Sequence, residues 1–214
     1  MSRAVDTAYG KIRDGILSGA FAPGNHLKEA ELVSFCGVSR TPVRSALNRL
    51  VTDDLVELYR NQGARVKAWP SDDFDDLFTL RALLEGYAAA RAAERISAEQ
   101  IDKIEESIAE MDAVLASHKP RKELIAEFLR LNAVVHSCIW EASGSARLQS
   151  MLSRLVEQSL QARTAAQFTL ARVAESHHHH QELLRALQHR DPLWAEAIMR
   201  SHIRAARVSL ADTT

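Results

Sequence analysis

Apolar residues recur with two different rhythms along the chain, and the change of rhythm divides it into two parts. Up to residue 69, short segments of helical or alternating pattern are separated by Gly and Pro, as at Ala22-Pro23-Gly24-Asn25. From residue 70 onward, Ala- and Leu-rich segments keep a helical period almost to the end. The pattern predicts two domains, residues 1–69 and residues 70–214.

The first part is predicted to run helix, helix, tight turn, helix, β-hairpin. The predicted helices cover residues 5–17, 28–36 and 40–52, and the predicted strands cover 55–59 and 64–68, joined by a loop at 60–63. Gly37 can adopt the left-handed conformation that ends a helix, and Ser39 is placed to cap the third helix. This order is typical of a winged helix-turn-helix.

The second part is predicted to contain six helices and no strand, so the fold class is mainly α. The helices are expected from Ser71, from a capping box at Ser97 and Gln100, over about 121–142, 146–168 and 172–189, and from Asp191-Pro192 to about 210. The prediction is therefore an N-terminal winged helix-turn-helix followed by an all-α six-helix bundle.

Composition narrows the function classes. Among the 214 residues there are two cysteines, which excludes a disulfide scaffold and a cysteine-built zinc site and favours a reducing cytoplasm. No uninterrupted apolar run reaches the length of a membrane span, and the N-terminus lacks the apolar core of a secretory signal.

Residues 1–70 carry 10 Lys and Arg against 7 Asp and Glu, whereas residues 71–214 carry 17 against 21. A basic first part suggests a polyanionic partner.

The start of the third helix has the chemistry of a DNA contact. Arg40 and Arg44 are one turn apart, and a guanidinium fork fits both guanine edges and phosphates. Ser39 and Thr41 place hydroxyls beside the free N–H groups of a helix start, where phosphate binds. We therefore expect this helix to enter the major groove.

The hairpin would act as the wing. Gly63 permits a close approach of the backbone, and Arg65 lies with Lys67 on one side of the second strand. On pattern alone, the alternative is a small structural α/β module whose arginines are merely solvated.

Polar residues interrupt the apolar stripes of three helices in the second part. Asn132 and His136 lie on one stripe, His180 on another and His202 on a third. Buried polar groups need partners, and three neutral imidazoles with one oxygen form a site for a divalent transition metal. For any single histidine, the alternative is an ordinary core residue that is satisfied by a hydrogen bond.

Arg81 lies on the apolar face of the first bundle helix, and a buried guanidinium needs an anion. Two partners remain open: an internal carboxylate such as Glu85, or the carboxylate of a bound ligand held by two parallel hydrogen bonds.

The first part resembles the GntR family of bacterial transcriptional regulators. The resemblance is carried by Ala22-Pro23-Gly24 and by Gly37-Val38-Ser39-Arg40-Thr41-Pro42-Val43-Arg44. It implies operator contacts by Ser39, Arg40, Thr41 and Arg44, with the wing near Gly63 reaching the minor groove. The chain departs from the family at Asp53-Asp54, where Gly usually follows an acidic residue, so Asp54 has to adopt a left-handed turn.

The second part resembles the FCD effector-binding domain of the FadR subfamily, in its VanR-like branch. The family's metal ligands are an Asp, a His four residues later and two further His, which carry over to Asn132, His136, His180 and His202. Asn in place of Asp removes a negative charge, so metal affinity should fall and the site should favour an anionic effector. The resemblance implies zinc, with nickel or manganese as alternatives, and a small carboxylate effector contacting Arg81.

These observations predict a cytoplasmic, homodimeric transcriptional regulator that binds palindromic operator DNA and is not an enzyme. The fourth bundle helix, Leu152 to Leu160, is a candidate dimer seam. The alternatives are a metal-dependent enzyme that uses the histidine cluster, and an effector-independent DNA-binding protein with a structural metal. No HExxH motif, nucleophile elbow or phosphate loop is present in the sequence, which argues against the enzyme.

Overall fold

The computed structural model of the protein describes residues 3–59, 63–68, 71–162 and 169–211. The predicted hairpin loop at 60–62, the boundary at 69–70 and the end of the fourth bundle helix at 168 lie outside these residues. The described residues form two compact units. One holds those up to residue 74 together with 156–162, and the other holds those of 75–155 and those from 169 onward.

The described residues form nine helices and three strands, and the mainly α fold class is confirmed. In chain order the elements are α1 Arg3–Leu17, β1 His26–Leu27, α2 Glu29–Cys36, α3 Arg40–Thr52, β2 Val56–Tyr59, β3 Gly63–Val66, α4 Ser71–Arg95, α5 Ala98–Ala116, α6 Arg121–Ala142, α7 Ala146–Ala162, α8 Leu170–Gln188 and α9 Pro192–Ala211.

The tight turn between α2 and α3 depends on Gly37, whose φ of 70° is left-handed and whose N–H donates to the carbonyl of Val33. Ser39 is the N-cap residue of α3, but its side chain makes no capping hydrogen bond, so the predicted cap is wrong in that detail. The face of α3 that points into the small core carries Val43, Ala46, Leu47 and Leu50, which are all buried.

The wing is a three-stranded antiparallel sheet rather than the predicted two-stranded hairpin, and its strand order is β1-β3-β2. In β1, His26 pairs with Arg65 of β3, while Val56 of β2 pairs with Val66 on the other side. The two residues of β1 are too few to show an alternating pattern, so no periodicity indicates a strand there.

The second unit is all helical, as predicted. Helix α5 packs on α6 and α8, and α8 packs on α9. The capping box of Ser97 and Gln100 is present, and Asp191 Oδ1 accepts from the backbone N–H of Trp194 at the start of α9. Helix α8 begins at Leu170, two residues before the predicted start, because the Thr169 side chain caps it.

The bundle core includes Phe78, Phe128 and Ile139, all at most 1% exposed. Cys36 and Cys138 are both free and buried. Leu152, the first residue of the predicted dimer seam, is fully buried inside its own protomer, so it is not available to a second copy. None of the helices in the described part is both long and apolar enough to cross a membrane.

Asp54 should cost stability through its backbone, since its φ of 62° is left-handed. Replacement by Ala or Gly removes the same ion pair with Lys67, which has a Nζ to Oδ1 distance of 2.6 Å. Only Ala keeps the Cβ that is disfavoured at this φ. Asp54→Ala should therefore be less stable than Asp54→Gly by about 1 kcal/mol in urea unfolding. Equal unfolding free energies for the two variants would contradict this explanation.

Candidate functional site

The predicted DNA-contact residues of α3 lie on one solvent-facing surface. Ser39, Arg40, Thr41 and Arg44 are all exposed, whereas the apolar residues of the same helix are buried. These exposed residues are all polar, so the surface they form is accessible to a ligand. Two arginines and two hydroxyls next to a helix N-terminus suit phosphates and base edges.

Arg44 is already oriented by a carboxylate. Its Nε lies 2.8 Å and 2.9 Å from the two carboxylate oxygens of Glu29, at the start of α2. Both side chains are solvent-exposed, so water screens the pair and it adds little to stability. No spacing rule along the sequence indicates this contact, because it joins residues of two different helices across the turn between them.

The wing exposes both of its predicted contact residues, Gly63 and Arg65. The φ of Gly63 is 81°, and a Cβ built there would lie 3.4 Å from the ring of His26. The Arg65 guanidinium lies 5.3 Å from the centre of the Tyr59 ring. Lys67 is half-buried, since Asp54 holds it, and it is less accessible than Arg65.

In the helical unit, three of the four predicted metal ligands come together. His136 of α6, His180 of α8 and His202 of α9 are buried, and one ring nitrogen from each lies within 4.8 Å of the others. The Nε2 atoms of His136 and His202 are 3.2 Å apart. Asn132 is half-buried one turn before His136 on α6.

Several of these nitrogens are buried without a partner. Both ring nitrogens of His180, and Nδ1 of His202, have no hydrogen-bond partner among the described residues. Burial, followed by the charges of neighbouring groups, lowers the pKa of His180 and of His202 well below the usual value. Both rings are therefore neutral at pH 7, which is the form that binds a metal.

The third histidine, His136, is oriented by a buried ionic network. Its Nδ1 lies 2.5 Å from Glu85 Oε2, so Nε2 is directed toward the other two rings. The other oxygen of Glu85 accepts from Nε and Nη2 of Arg81, at 2.9 Å and 2.7 Å. Trp140 Nε1 is 3.4 Å from Oε2.

Glu85 stays ionised inside the bundle although it is fully buried. Burial alone would raise its pKa, but the charges of Arg81 and His136 and their hydrogen bonds outweigh burial and hold the pKa of Glu85 at about 2. A carboxylate that accepts from the distal nitrogen of a ligating histidine fixes its tautomer and raises its basicity.

Of the two partners left open for Arg81, the structure shows the internal one. Arg81 is 6% exposed and its guanidinium is bound to Glu85. The other histidines of the run in α8 differ from one another: His178 is exposed, His179 is half-buried, and His177 is buried with Nε2 2.6 Å from Asp112 Oδ1. His26, His118 and His189 are exposed.

Two residues of the cluster's surroundings were missed at the sequence level. One is Glu85 as the partner of His136, which no spacing rule links, since 51 residues separate them. The other is Arg172, buried on α8 with Nη2 3.2 Å from the backbone carbonyl of His202. Extending the stripe of α8 back from His180 through Ser176 would have reached Arg172.

The histidine cluster fits a divalent transition metal. Neutral imidazole nitrogens are its common ligands, and a metal would satisfy one of the two nitrogens of His180 that lack a partner among the described residues. Glu85 would then serve as the carboxylate behind one ligand. The cluster can therefore hold a metal, with Asn132 nearby on α6 as a candidate oxygen ligand.

Two models of known protein families match the chain, one in each of its two parts. Residues 4–66 match the model for bacterial regulatory proteins of the gntR family, and residues 76–205 match the model for the FCD domain. The second match alone covers more than half of the chain.

Individual transcriptional regulators are also similar to this chain. The HTH-type transcriptional repressor GlaR of Escherichia coli is 27% identical over 203 residues, 91% of this chain and 90% of GlaR. The uncharacterized HTH-type transcriptional regulator YdhC of Bacillus subtilis is 25% identical over 69% of this chain, and the chain spans only 64% of its length. The chain spans 52% and 44% of two further relatives, from Agrobacterium vitis and Aminobacter aminovorans.

A solved structure shares the fold. Escherichia coli McbR/YncC matches with a TM-score of 0.81 and 19% identity, and the match covers 100% of both chains. At this identity, the similarity shows only that the two proteins share a fold.

Glu85→Gln should weaken binding of a divalent metal by about ten- to a hundredfold, because the amide no longer holds the His136 ring with a negative charge. Zinc affinity can be measured by competition with a chromophoric chelator. Glu141→Gln removes an exposed carboxylate from α6 and serves as the control. A double variant, Arg81→Gln with Glu85→Gln, avoids an unpaired buried cation. Wild-type zinc affinity in both Glu85 variants would contradict the role of Glu85.

Proposed function

The chain belongs to the GntR family of bacterial regulatory proteins and carries an FCD domain, and from this premise we propose that a small anionic effector, bound at a metal in the bundle, controls its affinity for operator DNA. The family makes the chain a DNA-binding transcriptional regulator and not an enzyme. The finer statements below, on contacts, metal and effector, are our proposal.

For DNA binding, the observation that supports the proposal most is the exposed polar surface of α3. Arg40 and Arg44 would read guanine edges or hold phosphates, and Ser39 and Thr41 would contact a phosphate at the helix start. Gly63 and Arg65 would bring the wing to the backbone or minor groove. Glu29 keeps the Arg44 side chain extended before DNA arrives, and the phosphates would compete for it.

For metal binding, the support is the pair of partnerless, buried nitrogens of His180. Leaving a buried polar atom unpaired costs about 1–3 kcal/mol, which a metal at the cluster would remove. We propose His136, His180 and His202 as ligands, with Asn132 as a weaker fourth. Zinc is the first choice, and nickel or manganese also accept imidazole and oxygen ligands.

The effector is proposed to be a small carboxylate. Imidazole and amide ligands carry no charge when they bind a metal, so they would leave its double positive charge uncompensated, and an anion in an open position would compensate it. Arg81 contributes indirectly, since it holds Glu85 and through it His136. Operator affinity then changes by the ratio of the effector's affinities for the two states of the protein.

We further propose a homodimer in the cytoplasm, on a palindromic operator, because one recognition helix reads only a half-site. Leu80, Leu83 and Tyr87 form an exposed apolar stripe on α4, with spacing of three and four residues. A second copy of the chain would cover this stripe.

Arg44→Ala should reduce DNA binding at least about tenfold, because a bidentate or phosphate contact is lost. Its unfolding free energy should change by less than about 0.5 kcal/mol, since the pair with Glu29 is exposed. The probe is a set of duplexes that the wild-type chain selects from a random-sequence pool. Arg3→Ala, which removes an exposed cation from α1, should bind these duplexes like the wild type. Unimpaired binding by Arg44→Ala would refute the contact.

His136→Ala with His202→Ala should lower the bound metal measured by elemental analysis, and should abolish any metal-dependent thermal stabilisation by small carboxylates. The matched control is His118→Ala with His189→Ala, two exposed histidines. Unchanged metal content in the first double variant would refute the ligand assignment. Metal binding without any carboxylate response would instead favour a structural metal in an effector-independent DNA-binding protein.

A further inference from the structure

Arg172 is a buried cation beside the histidine cluster. It is 5% exposed, and its Nη2 donates to the backbone carbonyl of His202 over 3.2 Å. The imidazole of His202 in turn contacts the rings of His136, His179 and His180, with centroid distances of 5.1, 5.8 and 4.8 Å. The guanidinium therefore adjoins one proposed ligand directly.

The charge of Arg172 reaches the cluster. On α8, Arg172 precedes His180 by eight residues, about two helical turns, and its guanidinium is hydrogen-bonded to the backbone of His202 on α9. Its charge therefore lies beside two of the proposed metal ligands. An additional positive charge so near a metal site is unfavourable unless an anion lies close to both.

The two buried arginines of the bundle differ in how their charge is compensated. Arg81 faces Glu85, whose side chain is 0% exposed, so that pair cancels inside the protein. Arg172 pairs with Glu175 through Nη1 at 2.8 Å, but the Glu175 side chain is 52% exposed. Water screens the charge of Glu175, and much of the positive charge of Arg172 stays uncompensated on the side of the histidines.

We propose that Arg172, rather than Arg81, is the cation that pairs with the carboxylate of the effector. The inference rests on the proposed function, since it requires a metal at the three histidines to hold the same anion. It makes Arg172 a specificity-determining residue: a neutral molecule of the same shape would gain nothing from the guanidinium. A carboxylate would gain a charge-assisted hydrogen bond in a buried setting.

The test uses the full chain with cobalt(II), whose visible absorption reports its coordination, and sodium acetate as the probe anion. We expect acetate to change the spectrum of the wild-type complex. In Arg172→Gln the acetate concentration at half-maximal change should rise by about ten- to a hundredfold, the loss expected for a hydrogen bond to a charged group. Arg130→Gln removes an exposed arginine of α6 and should titrate like the wild type.

A second variant keeps the test decisive where Arg172→Gln does not fold. Glu175→Gln removes the screened counter-charge and leaves the guanidinium in place, so acetate should bind about twofold more tightly. The cobalt spectrum without acetate checks that each variant still holds the metal. Tighter acetate binding by Glu175→Gln supports the inference, and unchanged or weaker binding contradicts it.

The outcomes separate the two proposals. Wild-type acetate affinity in a cobalt-binding Arg172→Gln variant overturns the role of Arg172 and leaves the metal site standing. A wild-type cobalt complex that does not respond to acetate overturns both the carboxylate effector and the role of Arg172. Failure of the wild-type chain to bind cobalt overturns the metal site and, with it, this inference.

Discussion

Burial of imidazoles without hydrogen-bond partners is the constraint on which the helical unit depends. His180 has two such nitrogens and His202 has one, in a core otherwise made of residues such as Phe128 and Ile139. Apolar residues at the same positions would avoid the desolvation cost of about 1–3 kcal/mol for each unpaired atom. The arrangement is consistent with the proposed metal site, in which each imidazole would give one nitrogen to the ion.

The surrounding charges support that receptor in two ways. Arg81 and Glu85 form a closed buried pair, and the second oxygen of Glu85 directs the His136 ring toward the cluster. Such a pair is costly to break and adds no net charge, which suits a positioning role. Arg172 instead pairs with Glu175, whose carboxylate is exposed to water. In the proposed function, Arg81 would therefore help to orient a metal ligand, while Arg172 would favour the binding of an anion.

In the N-terminal unit, one helix supplies both core residues and the proposed DNA-contact residues. Val43, Ala46 and Leu50 anchor α3, and the residues between them present exposed polar groups. Because these buried side chains hold α3 in place, they also set the positions of Arg40 and Arg44 on its surface. Glu29 adds an exposed, weak contact to Arg44 that can be exchanged for phosphate at small cost.

The sequence by itself determined the nine helices of the described residues, the turn at Gly37, the left-handed Asp54 and the stripes that bring three histidines inward. These features depend on local spacing and backbone preference, which a single chain segment displays. Tertiary structure alone decided that β1 joins the wing, that Glu85 holds His136, that Glu29 holds Arg44 and that Arg172 adjoins His202. Each of these contacts joins side chains or strands from separate elements, and their meeting depends on how the elements pack rather than on any periodicity along the chain.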